Sequence, residues 1–345
     1  MGRAGPTVRL TPNLFAIPFG LCGLAQCWSL AAAQNAAPAW PADTLSALAA
    51  VAWAGLLVAY VRNAVAAGRL RTELADPTFG PFTSLVVIVP MLLGTALARH
   101  AHGAGEAVFL VALVATVLLG SWLVGEWIVS DLALAQWHPG YFLPTVAGGL
   151  LAAGGCAAFG YDSLARLMFG YGAVCWIVLG SVILLRLFTQ PALPAALIPT
   201  IAIELAPPVV AGAAWFEING GRADAVALGL AGYAVLMVVV QVRLAPLYRR
   251  LPFGPGWWSF SFSYAAAFAI AIRWLTVEDA PGQRLFTQVL LAVITAWLLV
   301  LAARTGTHLA RGTFLPRPAP APREPAAPVA ERARTTGIGP PGRRG

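Results

Sequence analysis

The chain has 345 residues, 59% of them hydrophobic and only 10% charged, with a formal net charge of +8. Soluble domains carry about 25% charged residues, so this chain cannot clothe a globule in water and its main solvent must be lipid. Every basic residue is Arg, which excludes a phosphate-loop lysine and a Schiff-base lysine, and the Arg cluster at the ends and in a few loops, which argues against nucleic acid as a partner.

A bilayer span needs about 20 mostly apolar residues. Ten such runs follow one another: 13–33, 43–66, 82–98, 107–129, 141–158, 165–187, 197–216, 224–245, 256–274 and 284–304. They predict an all-α integral membrane protein with ten transmembrane helices. Arg3 and Arg9 precede the first run, which ends Ala31-Ala32-Ala33 in the manner of a leader peptide. It exceeds the apolar core of a leader, and it repeats the Pro and Gly of later runs at Pro12, Pro18, Gly20 and Gly23, so it reads as a span. Residues 1–12 form the N-terminus, 13–305 the helical domain, and 306–345 a tail. That tail is rich in Pro, Ala, Arg and Gly, lacks the means to bury a core, and is expected to be disordered.

Loop charge sets orientation. Arg3, Arg9, Arg69, Arg71, Arg186, Arg249, Arg250 and the tail Arg fall on one side of the alternating spans. Asp43, Glu106, Asp162, Glu217, Asp224, Glu278 and Asp279 fall on the other. Both termini are therefore expected in the cytoplasm, and odd-numbered helices run outward. The odd runs share a character. The first has Phe15, Pro18 and Gly20, the third Phe82 and Pro90, and the fifth Phe142 and Pro144. The seventh has Pro199, Pro207 and Pro208, and the ninth has Gly256 and Phe262. Proline kinks a span and frees a carbonyl, which is tolerated beside a neighbour or a cavity that satisfies it. The even runs are smoother, with Leu, Val and Ala throughout. The alternation suggests five helix hairpins, odd helices inside and even helices outside, repeating every 60–70 residues.

Catalytic chemistry is sparse. No HExxH and no CxxC occurs, and Cys22, Cys27, Cys156 and Cys175 lie in apolar runs as small hydrophobes. His100 and His102 on one loop read as solvated and not as a metal site. His138 reads as a turn residue before Pro139-Gly140, and Glu126 as interfacial. No cofactor and no metal is expected. The spans hold no convergent polar set for a hydrolase or an acyltransferase, which leaves transport or conduction. Glu204 is the one acid deep in an odd run, and an intramembrane acid is a functional candidate by default. It is either neutral or paired to Arg186 or Arg243, or else a protonatable group that couples proton movement to substrate.

Four segments together resemble the tellurite-resistance/dicarboxylate transporter family, which includes TehA-like proteins and slow-type (SLAC-like) anion channels. They are Asn13-Leu-Phe-Ala-Ile-Pro-Phe-Gly20, His138-Pro-Gly-Tyr-Phe-Leu-Pro-Thr145, Ile203-Glu-Leu-Ala-Pro-Pro208 and Trp257-Trp-Ser-Phe-Ser-Phe262, one per odd run. The resemblance covers residues 10–305. It implies five hairpins in a quasi-fivefold ring, odd helices lining a central pore, and a homotrimer in the bacterial inner membrane with one pore per subunit. It also implies a pore-occluding Phe in the ninth helix. By position in the motif that is Phe262, with Phe260 the competitor. The two differ by about 200° around a helix, so only one can face an axis. Plant members tend to carry Pro after the gating Phe, where this chain has Ser263. With no Arg assigned to the pore, selectivity is expected to be weak and to come from backbone dipoles and a positive cytoplasmic mouth. The expected function is a gated channel for small anions. The alternative is a proton-coupled transporter of C4-dicarboxylates or tellurite-like oxyanions, with Glu204 as its acid.

Overall fold

Proline marks the start of every second span. In a computed structural model, which describes residues 10–315 apart from 67 and 69, ten helices are long and apolar enough to cross a membrane. They are α1 (Pro12–Ala33), α2 (Trp40–Val65), α3 (Gly80–Leu97), α4 (His102–Val129), α5 (Pro139–Ala158), α6 (Asp162–Thr189), α7 (Ile198–Ile218), α8 (Ala225–Tyr248), α9 (Pro255–Val277) and α10 (Gln283–Ala310). The chain is a multi-pass membrane protein, and its described residues contain no strand. Each odd helix opens with a 3-10 segment carrying Pro at its first or second position: Pro12, Pro81, Pro139, Pro199 and Pro255. Pro presets the backbone dihedral and lacks the N–H that would be unpaired there anyway. Consecutive prolines of this set lie 56 to 69 residues apart, which gives the internal repeat a structural marker.

Burial separates the two classes of helix. The odd helices are 50–72% buried within the chain, and the even helices 11–33%. Among the odd helices, α1 packs on α3, α3 on α5, α5 on α7, α7 on α9, and α9 on α1. The five 3-10 segments touch their neighbours in the same cyclic order. All five inner helices therefore begin at one end of the molecule, called here the near end, and finish at the far end. Hairpin turns at the far end are short. Gly160, with φ 78°, turns α5 into α6, and Gly220, with φ 73°, turns α7 towards α8. A side chain at either position would be strained in that left-handed region. Asp224 caps α8 by accepting from the N–H of Ala227 at 3.0 Å, and this bond holds its carboxyl below the usual range.

The outer helices meet the polar needs of the inner ones. Pro90 leaves the carbonyl of Val86 without its helical donor, and Trp53 Nε1 on α2 donates to it at 2.9 Å. The 3-10 segment of α7 offers the carbonyl of Ile201, and Gln241 Nε2 on α8 donates to it at 3.2 Å. Tyr248 Oη in turn donates to Gln241 Oε1 at 2.9 Å. Small residues set the helix spacing: a Cβ on Gly94 of α3 would lie 2.7 Å from the backbone N of Phe109 on α4.

The tenth helix runs to Ala310, and beyond it Phe314 is buried beside Phe253, at 6.1 Å between ring centroids. Residues 306–315 are thus ordered parts of the helical unit. The rest of the tail expected to be disordered over 306–345, from 316 onward, and the N-terminal segment before Leu10 lie outside the described residues.

Candidate functional site

Two cavities lie among the inner helices. The near-end cavity is lined by residues of all five, including Phe19 of α1, Phe82 of α3, Phe142 of α5, Pro207 of α7 and Phe262 of α9. Its volume is about 30 Å³, room for about two waters. The far-end cavity is larger, about 250 Å³, and reaches from mid-helix to the ends of α3, α7 and α9. Three residues line both cavities: Leu150, Val210 and Phe262. All three are apolar, so the neck between the cavities is a hydrophobic constriction.

The Phe262 ring is the bulkiest part of that neck. It stacks on Phe19 with centroids 3.7 Å apart and planes 13° from parallel. Gly23 gives it space, because a Cβ there would lie 3.1 Å from Phe262 Cδ2. Phe260 points elsewhere. Its ring packs edge-on against Tyr248 of α8 at 4.9 Å and Trp297 of α10 at 6.2 Å, and it lines neither cavity. The 200° separation anticipated between the two rings therefore resolves into one facing the cavities and one facing the outer helices.

The other sequence candidates divide in the same way. Phe82, Phe142 and Pro207 join Phe262 at the near-end cavity. Phe15 does not: it packs edge-on against Tyr60 of α2 at 6.0 Å, and Phe19, one turn later, takes the inward place. Pro18, Gly20, Pro90 and Pro144 line neither cavity. Gly20 meets Ser261 so closely that any side chain there would collide. Pro144 lies in a five-residue π-helical segment, Leu143–Ala147, that shifts the inward face of α5. Ser263 follows Phe262 and also lines the near-end cavity.

Glu204 is buried in the 3-10 segment of α7 and lines neither cavity. Its Oε1 has no hydrogen-bond partner, and the expected alternatives of pairing to Arg186 or Arg243 are not what the fold provides. Arg186 instead donates from Nη2 to the carbonyl of Ala135 at 3.2 Å. His138 does cap a turn, with Nδ1 accepting from the N–H of Gly140 at 3.1 Å. It is fully buried, stacked on Phe82, and burial pushes its imidazole down to about 4. His100 and His102 turn to different carboxylates, Asp43 at 3.0 Å and Glu106 at 3.9 Å.

One expectation is corrected. Arginine does line the cavity system: Arg99 and Arg273 both border the far-end cavity. Each stands at the end of an inner helix, where an acid can hold it inward. Arg99 lies 3.1 Å from Asp43, and Arg273 lies 3.2 Å from Glu217 of α7. Comparing the ends of the repeats, and not only their Pro-rich starts, would have exposed this pattern. Leu150 and Val210 carry no such signal, since aliphatic residues fill every span.

Over residues 9–306 the chain matches the family described as voltage-dependent anion channel (SLAC1). The chain belongs to this family. It is 28% identical over 307 residues to a tellurite resistance protein TehA homolog of Haemophilus influenzae, covering 88% of this chain and 92% of that protein. It is 26% identical over 166 residues to the guard cell S-type anion channel SLAC1 of Arabidopsis thaliana, covering 48% of this chain and 29% of that one. The S-type anion channel SLAH1 of the same plant is 27% identical over 171 residues, covering 48% of this chain and 44% of its own length. The family assignment agrees with the four segments on which the sequence resemblance rests.

Proposed function

We propose that this protein is a gated channel for small monovalent anions, in which the five inner helices form a ring around a pore and the Phe262 ring is the gate. The observation that carries this reading is the position of Phe262 between the two cavities, in a neck with no polar lining side chain. A phenyl ring across a narrow apolar neck stops an ion by bulk and by denying it hydration. Opening needs a rotamer change of Phe262 away from Phe19, or a small shift of α9 against α1. The plant relatives, which are anion channels, support anions as the permeant class. The charge pattern supports a cytoplasmic near end and cytoplasmic termini, and the bacterial relative supports the inner membrane. The family resemblance supports a homotrimer with one pore per subunit.

The test is an ion-substitution series on reconstituted protein. Phe262→Ala should carry anion current well above the wild-type level, with a reversal potential that follows the chloride gradient and ignores a proton gradient. Absence of current from Phe262→Ala in every anion tried would sink the proposal.

Glu204 keeps a second reading in view, that of a proton-coupled transporter of dicarboxylates or oxyanions. A buried carboxyl with an unpartnered oxygen is a costly thing to keep inside a membrane. Malate uptake that requires a proton gradient and is lost in Glu204→Gln would favour this reading. Its location off both cavities counts against it.

A further inference from the structure

Two arginines border the far-end cavity, and their surroundings differ. Arg99 is saturated. It donates to Ser29 Oγ at 2.5 Å, to Asp43 Oδ1 at 3.1 Å, and from Nε to the carbonyl of Ala96 at 3.3 Å. Arg273 is held at one point, by Nη2 against Glu217 Oε1 at 3.2 Å. A guanidinium has five N–H donors in a fixed fork, so most of its capacity remains. The side chain is 29% exposed and its partner 44%, so both border open space within the cavity. Arg273 also shares one face of α9 with Ala269, Ala266 and Phe262, all of which line the same cavity. The spacing of three and four residues makes a continuous helical stripe from the neck to the arginine. Eleven residues separate Phe262 from Arg273, about 16 Å along the axis.

We infer that Arg273 is an anion-docking site at the far mouth, and that Glu217 is a tethered carboxylate which an arriving small monovalent anion displaces. Before displacement the pair is neutral, so the mouth does not repel an approaching ion of either sign. After it, the anion sits on the fork with a small-residue path towards Phe262. Glu217 then sets the affinity, because it competes for the same donors. This inference rests on the channel reading for its purpose and not for its test.

The test reads binding without current. The probe is bromide, titrated into the purified full-length protein at constant ionic strength, with a bulky sulfonate as the balancing anion. The readout is the rise in unfolding temperature, and the half-saturating bromide concentration is compared between variants. Glu217→Gln should lower that concentration about two- to fivefold, the range that removal of a partly exposed ion-pair competitor supports. Arg273→Gln should raise it by at least as much. The double variant Glu217→Gln/Arg273→Gln leaves no unpaired charge, so it keeps the test open if Arg273→Gln alone fails to fold, and it should bind as weakly as Arg273→Gln. The inference is overturned if bromide does not stabilise the wild type, if Glu217→Gln leaves half-saturation unchanged, or if the double variant binds like the wild type. Failure of the channel reading is separable: Phe262→Ala would carry no current, while the bromide shifts could still hold.

Discussion

Phe260 and Phe262 are the same residue type two positions apart, and the structure gives them different surroundings. Phe260 is 1% exposed among Tyr248, Tyr264, Trp257 and Trp297, so truncating it removes packing and nothing else. Phe260→Ala should lower stability by about 3 kcal/mol without raising anion current, whereas Phe262→Ala should raise current. Paired thermal unfolding and conductance measurements on the two variants check this, and a conductive Phe260→Ala would reverse the assignment. His138 makes a pH prediction. Its pKa falls from 6.5 to about 4, first because burial disfavours the imidazolium and also because Arg186 lies near. The carbonyls of Pro77 and Thr78 and the carboxylate of Asp76 favour the proton but do not outweigh burial. The unfolded chain thus takes up this proton before the folded one does. The stability that neutral His138 contributes is present above pH 6.5 and is lost as pH falls towards 4, by up to roughly 3 kcal/mol. Melting curves between pH 8 and pH 4 should show this loss, and His138→Asn, which keeps an acceptor for Gly140, should flatten it.

At the scale of the element, an inner-helix carbonyl left without a helical donor is met by a side chain from an outer helix, as at Val86 and Ile201. The donor from Trp53 to Val86 is the clearest case, since Pro90 removes the backbone N–H that would otherwise bond there. Trp53→Phe keeps an aromatic ring, deletes the N–H donor and removes part of the indole's volume. It should cost about 0.5–2 kcal/mol, seen as a lower unfolding temperature, with α3 the first helix to lose amide protection in hydrogen exchange. No change in α3 protection would mean that water or a neighbour supplies the bond. The prolines were readable from the sequence as a property of odd runs. The donors were not, because Trp53 and Gln241 are distant in sequence from Val86 and Ile201, and nothing local ties them together.

For the whole molecule, the inner helices close a cycle of contacts and the outer ones cover it, which leaves the large apolar side chains of even helices on the outside: Val111, Leu118, Ile177 and Val239 are all more than half exposed. Lipid covers such a surface without penalty, and so can another subunit. If the proposed homotrimer holds, native mass spectrometry from mild detergent should give three copies, and a single copy under the gentlest conditions would refute it. Ten spans, their borders to within several residues, and the inner and outer classes were all legible from hydropathy, proline and charge. These depend on how one segment partitions between lipid and protein, which is a local property. Which Phe faces the cavity, why Phe19 and not Phe15 lies inward, and which arginines reach it were decided only by tertiary structure. A 3-10 segment that gives way to α-helix, or a π segment as in α5, rotates every later side chain relative to an even helical count. The facing of a residue in these spans is therefore the sum of backbone irregularities that only packing against neighbouring helices selects.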